Sequence, residues 1–188
     1  MPNTKRTDEA ITRREDSNGH ARLVAVCISG GGVPKRPLDV AEVNEAGIKG
    51  DGHAHAKHIR PDRAISILDV EIMRDLIAEG FTLSPGTTGE NLTVESLGVQ
   101  QMQPGTRIEI GDVILQLEEP RRPCFVLDVI DPQLKEAIVG RCGYMASVVC
   151  GGPIRPGMSV RVIEPGEFLE TQHSGSKSNV NCVMGNGA

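Results

Sequence analysis

Short runs of aliphatic residues, many of them alternating with polar ones, recur from about residue 22 to residue 164. Runs of this length, bounded by glycine, proline and other turn residues, predict β-strands. The clearest case is RIEIGDVILQL, in which two alternating segments meet at Gly111–Asp112, as in a hairpin. We predict strands at residues 22–29, 38–44, 64–68, 91–95, 106–110, 112–118, 124–130, 145–150 and 159–164.

Two segments have the spacing of helices instead. The first follows Asp69, a good N-cap, and runs over residues 70–79 with an apolar stripe on one face. The second begins at Asp131–Pro132, an N-cap followed by proline, and covers residues 132–139. Many short strands with few short helices predict a mainly β fold, a closed or nearly closed β-barrel. Strands and helices do not alternate as a parallel α/β sheet requires.

The two ends of the chain differ from this patterned region. Residues 1–21 are charged and lack apolar periodicity, and residues 166–188 form a Ser/Asn/Gly-rich tail. Such segments bury too little apolar area to offset the entropy of ordering. We therefore predict a disordered N-terminal arm at 1–21, one β-barrel domain at 22–165 and a disordered C-terminal tail at 166–188.

Composition excludes several classes of protein. The net charge of −5 argues against a nucleic-acid binder that neutralises phosphates. No apolar run is long enough to span a membrane, and the first twenty residues lack the apolar core of a signal peptide. We expect a cytoplasmic protein with neither nucleic acid nor membrane as partner. The five cysteines include no CxxC pair, so we expect reduced thiols and neither a disulfide framework nor a four-cysteine zinc site.

The segment PRRPCFVLD contains the strongest candidate for chemistry, Cys124. The thiolate is the nucleophilic and metal-binding form of cysteine, and nearby positive charge favours it. Arg121 and Arg122 are placed to supply that charge, and the flanking prolines make the approach stiff and extended. The alternative is a small apolar residue buried at the start of a strand.

Three other segments are candidates for binding. In SPGTTGEN, residues 84–91, the backbone amides of a glycine-containing turn can bind an anion, and Glu90 and Asn91 can pair with the edge of a heterocycle. The alternative is an ordinary loop shaped by its glycines. In GRCGYMASVVCGG, Arg141 either contacts an anion or merely stands where a helix turns into a strand.

The third segment, GIKGDGHAHAKHIRPDRA, contains His53, His55 and His58. His53 and His55 would share one face of a strand and are candidates for a zinc or nickel site, although the spacing matches no standard zinc signature. The alternative is a polar loop with solvated histidines. Arg60 and Arg63 flank the segment, and arginine is well suited to bind phosphate or carboxylate groups.

The motifs PRRPC, GTTGEN, GIKGDGHA, RCGYMASVVCGG and IRPGMSVRVIEP, taken in order, resemble the MOSC domain. This family is named for the C-terminal domain of molybdenum cofactor sulfurase, and the resemblance covers nearly all of residues 22–164. The chain looks like the small stand-alone bacterial members, which lack the desulfurase portion, so no pyridoxal phosphate is expected in it. It departs from the family in the HAHAKH run and in a tail that contains Cys182.

The resemblance implies a mostly β, barrel-like fold with a pocket around Cys124, the family cysteine. It also implies binding of the molybdenum–pterin cofactor and handling of sulfur. Several further residues fall on family-like positions and are expected to bind the cofactor: Arg63, Glu90, Asn91, Arg121, Arg141, Gly143 and His53. Arg122 is added because of its charge beside the thiol.

Two forms of chemistry follow from the resemblance. As a sulfur carrier, or sulfurtransferase, Cys124 would accept sulfane sulfur from a cysteine desulfurase and pass it to a molybdoenzyme or a cofactor-synthesis protein. As a molybdenum-dependent oxidoreductase, the protein would bind molybdenum through Cys124 and reduce N-hydroxylated compounds. The alternatives are a non-catalytic carrier of the cofactor and a histidine-based zinc or nickel module.

Overall fold

The computed structural model describes residues 20–52 and 60–163. The predicted arm and tail lie almost wholly outside these ranges, as does the histidine run. Within them, no helix is long and apolar enough to cross a membrane. The strands are β1 (Arg22–Ile28), β2 (Arg36–Leu38), β3 (Ala41–Asn44), β4 (Gly47–Ile48), β5 (Ile65–Asp69), β6 (Leu92–Glu95), β7 (Arg107–Ile110), β8 (Val113–Pro120), β9 (Tyr144–Cys150), β10 (Gly152–Ile154) and β11 (Val160–Ile163).

Helices are few and short, so the prediction of a mainly β fold is confirmed. The α-helices are α1 (Val70–Ala78) and α2 (Leu134–Ala137), and single 3-10 turns cover Pro61–Arg63, Val99–Gln101 and Phe125–Val129. The first helix follows Asp69 as predicted. The second is shorter than predicted, because hydrogen bonds of the turn type surround its single α-helical turn.

The strands form two sheets. Eight strands pair in the order β11-β7-β8-β9-β5-β6-β1-β2, and a smaller sheet has the order β10-β3-β4. Among the strands of the described residues, only β5 and β6 pair in parallel. The larger sheet is open, so a closed barrel is not confirmed. Its nearest approach to closure is an isolated bridge between Arg22 and Ser159, next to which the Val160 N–H donates to the Ala21 carbonyl (2.8 Å).

One predicted strand is wrong. Residues 124–130 form a 3-10 turn after Cys124, not a strand. In the sequence FVLDVI, only Leu127 is fully buried, whereas Phe125 and Val129 are exposed. A short apolar run does not by itself distinguish a strand from a helical turn. The hairpin predicted at Gly111–Asp112 is confirmed, with β7 and β8 paired from Ile110–Val113 to Arg107–Gln116.

The core has two parts that lie on either side of β5. Ile65 and Ile67 belong to the larger cluster, which the two sheets enclose. Leu68, with the opposite orientation along the same strand, belongs to a smaller cluster beneath the helices. That smaller cluster also contains Leu127 and Cys142, so it anchors the chain directly after Cys124.

The end of β8 fixes where Cys124 stands. Pro120 pairs with Tyr144, and the Arg121 N–H then donates to the Gly143 carbonyl (2.8 Å). Glycine is required at position 143, because its φ is +82° and a Cβ there would lie 1.9 Å from the Ile67 carbonyl oxygen. The strand thus delivers Arg121, Arg122 and Cys124 to one edge of the sheet.

Candidate functional site

A cavity of about 270 Å³ opens beside Cys124. It lies where β8 ends, next to the GTTG turn that precedes β6. Its lining is rich in charged groups and consists of Lys35, Asp51, Arg63, Ser66, Gly89, Asn91, Glu119, Pro120, Arg121, Arg122, Cys124 and Met145. Five of the sequence candidates are therefore brought together: Arg63, Asn91, Arg121, Arg122 and Cys124.

Cys124 lies at the rim of this cavity and is exposed to solvent. Its backbone is extended (φ −130°, ψ 169°), and its carbonyl accepts the Leu127 N–H (3.1 Å) that begins the following turn. The buried alternative for this cysteine is therefore excluded. An exposed thiol in a basic surrounding is accessible to a sulfur donor or to a metal.

The other thiols in the described part of the chain differ from Cys124. Burial, together with the nearby Glu90 carboxylate, raises the pKa of Cys27 to about 12. Burial also raises the pKa of Cys142. Cys150 is buried and disulfide-bonded, so the expectation of a reduced thiol is wrong there.

A buried ion pair forms part of the cavity wall. Lys35 Nζ lies 2.5 Å from Asp51 Oδ2, and the two side chains are only 11% and 4% exposed. The pKa of Lys35 is lowered by burial, which outweighs the opposing effect of Asp51. Asp51 is further fixed by the Ser29 N–H (2.9 Å) and by Asn91 Nδ2 (2.8 Å). This pair is a fixed part of the site, because separating it would leave a charge buried alone.

A second ion pair, Arg63 with Glu119, is more accessible. Arg63 Nη2 lies 2.5 Å from Glu119 Oε1, and the side chains are 38% and 37% exposed. Arg63 Nε is buried and has no hydrogen-bond partner among the described residues. An unpaired buried donor at a cavity wall is a position where a ligand oxygen would be stabilised.

Arg121 joins the end of β8 to the GTTG turn. Its Nη2 donates to the Thr88 carbonyl (2.5 Å), and its Nη1 approaches Thr88 Oγ1 (3.4 Å). Gly89 permits this contact, because a Cβ at its φ of +87° would lie 3.2 Å from Arg121 Nη2. Arg122 is exposed at the rim.

Glu90 does not reach the cavity surface. It is fully buried, and its carboxylate accepts the Gly86 N–H (2.5 Å) and the hydroxyls of Thr88 (2.6 Å) and Thr93 (3.3 Å). These bonds fix the shape of the GTTG turn. The direct contact with a heterocycle that the sequence suggested is therefore replaced by a role in positioning the turn.

Asn91 lines the cavity, but its amide group is fully occupied. Nδ2 donates to the Cys27 carbonyl (3.1 Å) and to Asp51, and Oδ1 accepts from the N–H (3.1 Å) and hydroxyl (3.0 Å) of Ser66. A primary amide has two N–H groups and two lone pairs on oxygen, so no capacity is left for a ligand. Asn91 ties Asp51 to β5 and does not present a free edge to a heterocycle.

Arg141 and Gly143 also lie away from the cavity lining. Arg141 forms a two-bonded ion pair with Glu79 (2.7 and 2.6 Å) and donates to the Ala137 carbonyl (2.9 Å). Gly143 acts through the backbone, since its N–H donates to Gln100 Oε1 (2.8 Å) and its carbonyl binds Arg121. Arg141 is therefore not among the lining residues, and its expected contact with the cofactor stays a prediction. His53 lies outside the described residues, as do His55 and His58.

Several site residues escaped the sequence reasoning: Lys35, Ser66, Thr88 and Glu119. Their partners are distant in sequence, with Lys35 bound to Asp51 and Arg63 bound to Glu119. The motif GDG gave a weak indication for Asp51, because an acidic residue between two glycines suggests a closely packed carboxylate. In residues 20–52 and 60–163, no cluster of three or more His, Cys, Asp or Glu side chains has the arrangement of a metal site.

Comparisons with known proteins agree with this picture. Residues 54–161 match the model of the MOSC domain, a segment that includes Cys124 and Arg63 but neither Lys35 nor Asp51. Among curated proteins, the chain is 28% identical to the uncharacterized protein YflK of Bacillus subtilis over 72% of this chain and 65% of YflK. It is 31% identical to a protein named Reductase from Gibberella moniliformis over 63% of this chain and 23% of that protein. A third relative, YiiM of Escherichia coli, is 27% identical over 60% of this chain and 54% of YiiM.

The chain thus spans less than two thirds of each of these relatives. Solved structures show the same fold. YuaD of Bacillus subtilis superimposes with a TM-score of 0.65 at 20% identity, over 76% of this chain and 94% of YuaD. YiiM of Geobacillus stearothermophilus gives a TM-score of 0.63 at 24% identity, over 78% of this chain and 76% of that protein. Since the matched segment covers more than half of the sequence and contains the cysteine, the basic rim and the GTTG turn, the chain belongs to the MOSC domain family.

Proposed function

We propose that this protein binds the molybdenum–pterin cofactor in the cavity beside Cys124 and that Cys124 carries sulfane sulfur. The observation that supports the proposal most is the position of Cys124, an exposed thiol at the rim of a cavity whose lining includes four cationic side chains. MOSC family membership supplies the association with the cofactor and with sulfur.

The residues present fit such a group. Two acidic side chains, Asp51 and Glu119, face the four cationic ones, which leaves a formal excess of two positive charges for an anionic ligand. The unpartnered Arg63 Nε adds a buried donor for a ligand oxygen. Cys124 supplies a soft sulfur ligand of the kind that heavier transition metals accept. When bound, the cofactor would contribute a molybdenum centre with sulfur chemistry.

The chemistry assigned to this chain is thiol–persulfide exchange. The Cys124 thiolate attacks the outer sulfur of a donor persulfide, forming a new S–S bond while the donor leaves as its thiolate. Cys124 then bears the persulfide, and an acceptor thiolate attacks the outer sulfur while Cys124 leaves as its thiolate. Arg121 and Arg122 line the same cavity as Cys124 and contribute positive charge to it. The donor in this proposal is a cysteine desulfurase, and the acceptor is a molybdoenzyme or a cofactor-synthesis protein.

The test uses the full chain with Cys150 and Cys182 both replaced by serine in every protein compared, so that neither contributes a reactive thiol. After incubation with a cysteine desulfurase and cysteine, intact mass should show one added sulfur, which cyanide removes. Cys124→Ser should take up none, whereas Cys142→Ser, which removes a buried thiol, should behave like the parent. Equal sulfur uptake by the parent and by Cys124→Ser would refute the assignment.

A second candidate is a molybdenum-dependent reductase of N-hydroxylated compounds. It is favoured by the 31% identity to the Gibberella protein named Reductase. Here Cys124 would remain a molybdenum ligand. Anaerobic expression in a molybdenum-replete host separates the two, because the reductase predicts molybdenum that co-purifies with the parent and is lost in Cys124→Ser. The histidine-based alternative predicts zinc or nickel that persists in Cys124→Ser.

A further inference from the structure

Glu119 points at the cavity because β8 is irregular at this residue. Leu117 pairs with Ala146 and Glu119 pairs with Met145, so Glu118 is an extra residue in the ladder. A bulge of this kind turns the following side chain and is common beside functional sites. Glu118 is bound elsewhere, by the Ser147 hydroxyl (2.5 Å) and by Gln116 Nε2 (3.2 Å). Two neighbouring glutamates therefore have different environments, and only Glu119 lines the cavity.

The ion pair that Glu119 forms with Arg63 is incomplete. One guanidinium nitrogen, Nη2, contacts the carboxylate at 2.5 Å, while Nε is buried without a partner among the described residues. A guanidinium matches a carboxylate or phosphate best when two of its nitrogens bind two oxygens. Arg63 thus has an unused, solvent-shielded donor on the same guanidinium as its bound one, and the residue as a whole lines the cavity.

The two ion pairs of the cavity differ in how readily they separate. Lys35 and Asp51 are 11% and 4% exposed, so breaking that pair would strand a buried charge. Arg63 and Glu119 are 38% and 37% exposed, so a displaced Glu119 carboxylate has access to water. Exposed pairs of this kind are weak.

We propose that Glu119 is an exchangeable internal counter-ion: it neutralises Arg63 until a phosphate-like dianion enters the cavity, binds Arg63 through two nitrogens and displaces the carboxylate. This inference rests on the proposed function, since it concerns the anionic part of the ligand of the same cavity. Once Glu119 is displaced, the positive charge of Arg63 interacts with the ligand, and Arg63 Nε gains a hydrogen-bond partner. An anion therefore binds only if it interacts with Arg63 more strongly than the Glu119 carboxylate does.

The experiment compares Glu119→Gln with Glu118→Gln in the full chain. Both variants remove one negative charge from neighbouring residues, but only the first removes the counter-ion of Arg63. Inorganic phosphate and phenyl phosphate are titrated by calorimetry at low ionic strength, and the stronger binder identifies a free oxyanion or a phosphate ester as the ligand type. Thermal unfolding by circular dichroism checks that every variant is folded.

Glu119→Gln should bind the stronger probe about three- to tenfold more tightly than the parent, which is the range for one half-exposed charge. The affinity of Glu118→Gln for the same probe should stay within about twofold of the parent, because solvent and salt screen the interaction between the Glu118 charge and the bound anion. In an Arg63→Gln background the benefit of Glu119→Gln should vanish. Equal or weaker binding by Glu119→Gln overturns the counter-ion role alone. If neither the parent nor any variant binds either probe, both this role and the anion-binding part of the proposed function are wrong.

Discussion

The alkylation rates of individual thiols provide a direct test of the site, because the structure predicts a large contrast between Cys124 and Cys27. A thiol with a pKa of about 12 is ionised to about one part in 10⁵ at pH 7. An ordinary accessible cysteine is a few per cent thiolate at this pH. The ionised fraction of Cys27 is therefore roughly three orders of magnitude below that of an ordinary accessible cysteine, and Cys27 is in addition fully inaccessible to solvent, whereas Cys124 is exposed.

The parent protein, with Cys150→Ser and Cys182→Ser, should therefore take up one equivalent of iodoacetamide quickly and nothing more until it unfolds. Intact mass with time, followed by peptide mapping, measures the rate at each site. Cys124→Ser should lose the fast label, whereas Cys142→Ser should retain it, because Cys142 is buried. Labelling of Cys27 at a rate within tenfold of Cys124 would show that the wall around Cys27 opens readily, and the reasoning from burial would be refuted.

Two further predictions concern the elements that support the cavity. Burial raises the pKa of Asp69 from 3.8 to about 6, although its carboxylate accepts the N–H groups of Gly98 and Gln100 (3.0 and 3.4 Å). The stabilisation that comes from this raised pKa is therefore complete below pH 3.8 and is lost as the pH rises through 6. Relative to Asp69→Asn, the parent should lose up to about 3 kcal/mol between these limits in urea unfolding, and a parent that gains stability over this interval would contradict the sign. Gly89→Ala should destabilise the fold by about 1–2 kcal/mol and weaken phosphate binding, because φ is +87° and the new Cβ would lie 2.8 Å from Val33 Cγ1 and 3.2 Å from Arg121 Nη2. Gly105→Ala has a similar φ (+89°) with nothing within 4 Å, so an equal loss of phosphate binding in that control would rule out a local effect on Arg121.

Local patterns sufficed for those elements whose partners lie close in sequence. The β7–β8 hairpin and the start of α1 were predicted from the alternation and from Asp69 at the N-cap position. The Asp69 carboxylate, however, accepts from Gly98 and Gln100 and makes no cap hydrogen bond to the helix. The run after Cys124 failed because its apolar residues suit a strand and a 3-10 turn equally, and only the packing of Leu127 against a distant cluster decides between them.

The candidate site shows the same division. Residue types identified Cys124, Arg63, Arg121 and Arg122, because charge and thiol chemistry are properties of the side chains themselves. The free or occupied state of a side chain depends on partners elsewhere in the chain. Asn91 is saturated by Ser66 and Asp51, which lie 25 and 40 residues away, and sequence alone gives no sign of this.

The short connection on each side of Cys124 limits how far its sulfur can travel. Arg121 is fixed by its backbone bond to Gly143, and Leu127 is fixed in the smaller core cluster, so the cysteine is three residues from an anchor in either direction. Even a fully extended chain of three residues spans only about 10 Å. Cys124 therefore does not work as a swinging arm that shuttles between distant proteins. In the proposed sulfur transfer, any donor or acceptor would have to bring its reacting atom to the mouth of the cavity and fit against the exposed side chains of Phe125 and Arg122.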